Sequence, residues 1–271
     1  MKRFLSVMAF CALLTLLVSG TTMAAWGTPV NWEHNTSGVE RMPWLAGNTL
    51  YFVFNYDIYQ SSYDGQRWSL PIPVPGPINT AQNEISPVVI KGGTVLYYLT
   101  YDLVTGYDFY RSEWDAAAKQ WGKSVKMEVW STNGQDWDLW VNEAEDRAYL
   151  TTLVGYGESL SLGSQDIWTS QFVDGKWTVP VNVGPIINSN KAEWSVFVDE
   201  AGLIYFDSPR TGSVGGIDLW VSDGLTVTNL TDVNTDKGDR DIAISGNMAV
   251  VSADSREGGK GSHDLWIYTK Q

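Results

Sequence analysis

Cysteine is almost missing from this chain. The single one in 271 residues is Cys11, inside an apolar N-terminal stretch. Lys2 and Arg3 precede an apolar run from Phe4 to Val18, and small residues end it at Ala24 and Ala25. That order reads as a secretory signal peptide over 1–25, too short and wrongly flanked for a membrane span. Phe10 before Cys11 speaks against a lipid anchor. The mature chain, 26–271, then holds no thiol, which excludes disulfides and cysteine catalysis. Histidine is nearly as scarce. Beyond the leader, His34 and His263 stand without a cysteine or a ligand-spaced acid, so no zinc or transition-metal site is expected. Basic charge is thin as well: with Lys2 and Arg3 removed, 31 acids face 16 Lys and Arg, a net of −15. Nucleic acids and anionic membranes need basic surfaces and are poor partners for such a chain. Phosphate loops, dinucleotide fingerprints and Gly-x-Ser-x-Gly elbows do not occur.

What the chain has in abundance is aromatic residues, 14 Trp and 13 Tyr, and a repeat. Asn-x-x-x-x-acid recurs at Asn35…Glu40, Asn79…Glu84, Asn133…Asp138, Asn188…Glu193 and Asn234…Asp239, the acids 44, 54, 55 and 46 residues apart. Each unit also carries an Asp, an apolar residue and an aromatic: Asp57-Ile58-Tyr59, Asp108-Phe109-Tyr110, Asp166-Ile167-Trp168, Asp218-Leu219-Trp220 and Asp264-Leu265-Trp266. Alternation around these triplets marks strands, and Asp64-Gly65, Asp174-Gly175 and Asp223-Gly224 mark hairpin turns. Asp138-Leu139-Trp140 imitates the triplet but lies too near its neighbours to head a blade. The period is that of an all-β, five-bladed β-propeller in one domain. The last unit has three strands, and Trp26-Gly27-Thr28-Pro29-Val30-Asn31 resembles the fourth strand Trp177-Thr178-Val179-Pro180-Val181-Asn182. The N-terminal segment is therefore expected to complete the last blade and close the ring, leaving no sheet edge.

Two stretches resemble a known family. Ser208-Pro209-Arg210-Thr211-Gly212 through Asp218-Leu219-Trp220, and Trp177 through Asn188 and Glu193, look like the WD-like repeat of TolB-type propellers. Ser255-Arg256-Glu257-Gly258-Gly259 is a second, weaker copy of the Arg-Gly loop. Blade 1, with Asn55-Tyr56-Asp57, has no such loop, and blade 2 lacks the Arg-Gly pair. The resemblance implies the fold over nearly the whole mature chain and implies little about activity.

A propeller gathers equivalent positions around one axis. Glu40, Glu84, Asp138, Glu193 and Asp239 are expected to ring the channel mouth, on the face that also carries the loops 103–107, 153–165, 209–217 and 256–263. Acids present in every blade can serve every blade by accepting backbone N–H bonds. They can also bind a cation or a sugar. Residues that break the repeat carry more specific information: Arg41 and Arg240 follow the acid in adjacent blades, where the others show Ile85, Leu139 and Trp194. The Arg pair either neutralises Glu40 and Asp239 or forms a fork for a carboxylate or sugar hydroxyl. The favoured reading is a monomeric, exported, periplasmic or secreted binding propeller without a cofactor, its partner an envelope protein or glycan. The alternative is a carbohydrate-active protein, a glycoside hydrolase or sugar binder, using carboxylates at the mouth. A calcium loop at Asp232-Val233-Asn234-Thr235-Asp236 would need Gly where Lys237 stands and Glu where Ala243 stands.

Overall fold

The computed structural model describes residues 25–157 and 161–271. All but the last residue of the expected leader lie outside them. Five antiparallel sheets make up the fold, and no helix occurs among the described residues. The first strands of the blades are Glu40–Ala46, Glu84–Ile90, Asp136–Val141, Phe197–Val198 and Asp239–Ser245. Each touches the next, and the fifth touches the first. These are the inner strands of a closed five-bladed propeller.

The ring is closed as the N-terminal resemblance requires. Val30–Asn31 pairs antiparallel with His263–Thr269, the third strand of blade 5. Gly27 and Trp32 donate their N–H groups to Thr269 and Leu265. Asn31 donates to Asp264 as Asn182 donates to Asp166 in blade 3, so the matched sequences do matched work.

The aromatic wealth is mostly structural. Trp32, Trp121, Trp130 and Trp168 are fully buried between sheets, where rings contribute area and edge-to-face contacts. Four of the five inner strands are bulged near the second residue after the acid. The register slips between Arg41 and Trp44, Ile85 and Val88, Asp136 and Asp138, and Arg240 and Ile242. Met42, Ser86 and Asp241 sit there at positive φ, a conformation non-glycine residues seldom take. In blades 1, 3 and 5 the bulge re-aims two successive side chains, Arg41 and Met42, Trp137 and Asp138, and Arg240 and Asp241. One goes to the mouth of the channel, the next into its interior.

Candidate functional site

The repeated Asn builds the scaffold. Asn35, Asn79, Asn188 and Asn234 each accept the N–H of the residue after the triplet Asp, and each donates to that residue's carbonyl. One residue on, Ser or Thr binds the acid four further along: Thr36 to Glu40, Thr80 to Glu84, Ser189 to Glu193 and Thr235 to Asp239.

Blade 3 corrects the sequence register. There the Asn position is taken by Ser131, whose hydroxyl accepts from Phe109 N–H, and Thr132 binds Asp136 through both backbone and hydroxyl. The repeat acid is therefore Asp136, not Asp138, and the residue after it is Trp137, not Leu139. A serine can replace the carboxamide because its oxygen still accepts the critical N–H. The Asn-based pattern therefore slid two residues, onto the nearest Asn.

All five repeat acids are buried and held by local donors. Arg210 adds an ion pair to Glu193 at 2.8 Å, and Arg256 approaches Asp239 at 3.9 Å. The 2–3 loops thus share a face with the acids, as expected. Burial pushes the carboxyls of Glu40 and Asp239 above the usual range, and that of Asp136 up to about 7.

The mouth itself is lined by the residues that break the repeat. Arg41, Trp137, Trp194 and Arg240, each next after a repeat acid, surround a cavity of about 180 Å³ with Asp207, Asp241 and His263. Arg41 and Arg240 do not neutralise Glu40 and Asp239. Arg240 pairs with Asp254 at 3.1 Å and Asp207 at 3.9 Å, its guanidinium 5.4 Å from the Trp194 ring. Arg41 lies 5.1 Å from the Tyr56 ring and has no ion pair within 4 Å among the described residues. His263 Nε2 reaches Asp254 at 2.8 Å.

Below the mouth, Met42, Ser86, Asp138, Ser195 and Asp241 converge on a void of about 20 Å³, space for about one water. The channel is plugged there, so a ligand of any size stays at the mouth. Asp138 accepts Val196 N–H and belongs to this interior layer. Asp207 accepts Ser195 N–H and Asp241 accepts Met42 N–H. Burial raises the carboxyl pKa of all three, and the charge of Asp241 adds to the rise at Asp138 and Asp207. Arg41 and Arg240 oppose the rise at Asp241. Asp207, Asp241, Trp137 and His263 were not selected by sequence reasoning. The first two follow no repeat, and Trp137 was hidden by the slipped register.

Among the described residues no group of three or more His, Cys, Asp or Glu side chains is placed to hold a metal ion. In the stretch read as a calcium loop, the Asn234 carboxamide is spent on Leu219 and Asn229.

The sequence matches no family model and no curated protein. Among solved structures, the fold is similar to the catalytic domain of a Coprinopsis cinerea GH62 α-L-arabinofuranosidase, at 12% identity over 92% of this chain and 97% of that one, TM-score 0.52. It is also similar to a structure in the nidogen/laminin complex, at 10% identity over 80% and 76%, TM-score 0.52. A putative TolB from Agrobacterium tumefaciens aligns at 15% identity over 87% and 92%, TM-score 0.50. At these identities the likeness is one of fold.

Proposed function

We propose that this is an exported, non-catalytic binding propeller of the TolB type, periplasmic or secreted, acting as a monomer and docking a protein partner on the face of the repeat acids. The observation that carries this reading is the state of the mouth carboxylates. A glycosidase needs two carboxyl groups free to act as acid and as base or nucleophile. Here Asp207 and Asp241 each hold a backbone N–H and lie against arginine. Arg41 lines the same cavity as Trp137 and Trp194, acts on Asp241 by charge but makes no ion pair within 4 Å among the described residues, and so is suited to a partner's carboxylate or hydroxyl.

A protein partner is favoured over a free sugar by the loops around the mouth. Leu103 and Val104 in blade 2 are 83% and 91% exposed, and Leu153, Val154 and Val214 on neighbouring loops are exposed too. Such side chains on one face are what a protein interface covers. The glycan reading keeps one observation of its own, the two tryptophans at the mouth.

The experiment is a binding screen of the mature chain against envelope proteins and a glycan array, repeated with Arg41→Ala and Trp194→Ala. The reading expects a protein ligand whose affinity drops about tenfold or more in both variants. A ligand indifferent to both would move the site off this face. Turnover of aryl glycosides that disappears in Asp207→Asn would replace the reading with hydrolysis.

A further inference from the structure

Three blades fill one equivalent niche, and blade 1 leaves it open. In blade 4, Arg210 comes off the 2–3 loop and lies over Phe206 and Trp220, its guanidinium 4.6 and 5.5 Å from the rings. It donates to Glu193 and to the Ile187 carbonyl. In blade 5, Arg256 lies 4.9 Å from the Trp266 ring and faces Asp239. In blade 3 the occupant is Tyr156. Its ring meets Trp168 at 5.2 Å, and its hydroxyl donates to the Trp130 carbonyl, the counterpart of Ile187.

Strand register carries the niche to blade 1. Phe52 pairs with Tyr59 as Phe206 pairs with Trp220, and Glu40 corresponds to Glu193. The turn Asn55-Tyr56, both residues at positive φ, leaves no loop to supply an occupant. What remains is a cavity of about 270 Å³ lined by His34, Glu40, Phe52, Phe54, Tyr59 and Leu70, among others. Glu40 is 1% exposed, and its Oε2 has no hydrogen-bond partner. The hydroxyl that Thr100 and Ser208 give their repeat acids is absent, because Phe54 holds that position. Lys260, whose charge acts on Glu40, donates instead to the Glu33 carbonyl. An unpaired buried carboxylate oxygen against aromatic walls is the environment that Arg210 satisfies in blade 4.

We infer that the blade 1 niche receives an arginine side chain of a protein partner, stacked on Tyr59 and Phe52 and bonded to Glu40 Oε2. The niche shares no lining residue with the mouth cavity, so it stands or falls independently of Arg41 and Trp194.

The test is NMR titration of the mature chain with Nα-acetyl-arginine methylamide, with the neutral citrulline analogue as control. The arginine probe is expected to shift resonances of His34, Thr36, Tyr59 and Leu70, and the citrulline probe to bind about tenfold or more weaker. Glu40→Gln, which keeps the shape and removes the charge, should weaken the arginine probe to the citrulline level. Equal binding of the two probes, shifts confined to other blades, or undiminished binding to Glu40→Gln would each overturn the inference. Should Glu40→Gln not fold, the comparison of probes on the unaltered chain decides alone.

Discussion

Replacing Asn188 by Ala should cost about 2–4 kcal/mol, and the structure says where the loss arises. Asn188 is buried, and its Oδ1 is the acceptor for Ile167 N–H at 2.8 Å. Without it that N–H is orphaned in the interior, at about 1–3 kcal/mol. The Nδ2 bonds to the Ile167 carbonyl and Asn182 Oδ1 are also lost. Both acceptors keep another donor, Val183 N–H and Gly184 N–H respectively, so their share is smaller. For a domain of this size each kcal/mol moves Tm by about 2–4 °C, so a fall of about 5–15 °C is expected. Asn188→Ser provides the internal control. Ser131 meets the same need in blade 3, its hydroxyl accepting from Phe109 N–H at 3.2 Å. The serine variant should therefore lose only about 1 kcal/mol. Urea and thermal unfolding of the three proteins measure the series. An alanine variant within about 0.5 kcal/mol of the parent, or a serine variant as weak as the alanine one, would refute the assignment of the repeat to backbone satisfaction.

Removing residues 26–35 strips the outer strand of blade 5 and the fully buried Trp32, worth about 3–5 kcal/mol by itself. Urea unfolding should show a loss of about 5 kcal/mol or no cooperative transition, and a loss under about 1 kcal/mol would contradict the closure. Arg240→Ala takes the arginine from Asp207 and leaves Asp254 only His263, and should destabilise by about 1–3 kcal/mol, whereas Arg41→Ala should stay within about 0.5 kcal/mol; equal melting temperatures would show that the pairing is unimportant. Acidification should first stabilise the fold. Burial raises the carboxyls of Asp136, Asp138, Asp207 and Asp241, so the folded chain holds protons that the unfolded chain releases near pH 4. That stability is complete below the unfolded pKa and is lost as pH rises through the folded one, about 7 for Asp136. The urea midpoint should climb from pH 8 to pH 5, and less so in Asp138→Asn. Below about pH 4 it should fall, because Asp254 is held below its ordinary range by His263 and Arg240, against the opposing effect of burial. A midpoint that is flat or falls between pH 8 and pH 5 would refute the sign.

The fold was legible because every blade must solve the same backbone problem. Asn, Ser or Thr, and an acid at set spacing are the solution, and they stand in the sequence at the blade period. Closure was legible too, since Asn31 and Asn182 perform one task in one local sequence. The mouth was half legible. Arg41, Trp194 and Arg240 stood out against the repeat, and they do line the cavity. Trp137 did not, since Ser131 can stand in for Asn and the spacing alone misplaced blade 3 by two residues. Asp207 and Asp241 were invisible because their meaning arises only across blades. Asp207 is next to last in a second strand and Asp241 sits on a bulge, and no spacing along the chain joins them.

Val30–Asn31 precedes all five inner strands in the chain yet pairs with the last strand, His263–Thr269. Asn31 and Asp264 are 233 positions apart, and their contact cannot form until the final blade exists. Four blades can assemble in order of synthesis while both ends of the arc remain unsatisfied, and the ring becomes one cooperative object in a single late, long-range step. Proteolysis or slippage before that step would act on an open arc. After it, Trp26 lies against Lys270 in the blade 5 sheet, and a chain joined between these two positions and recut at a blade-to-blade turn should keep the fold at little cost.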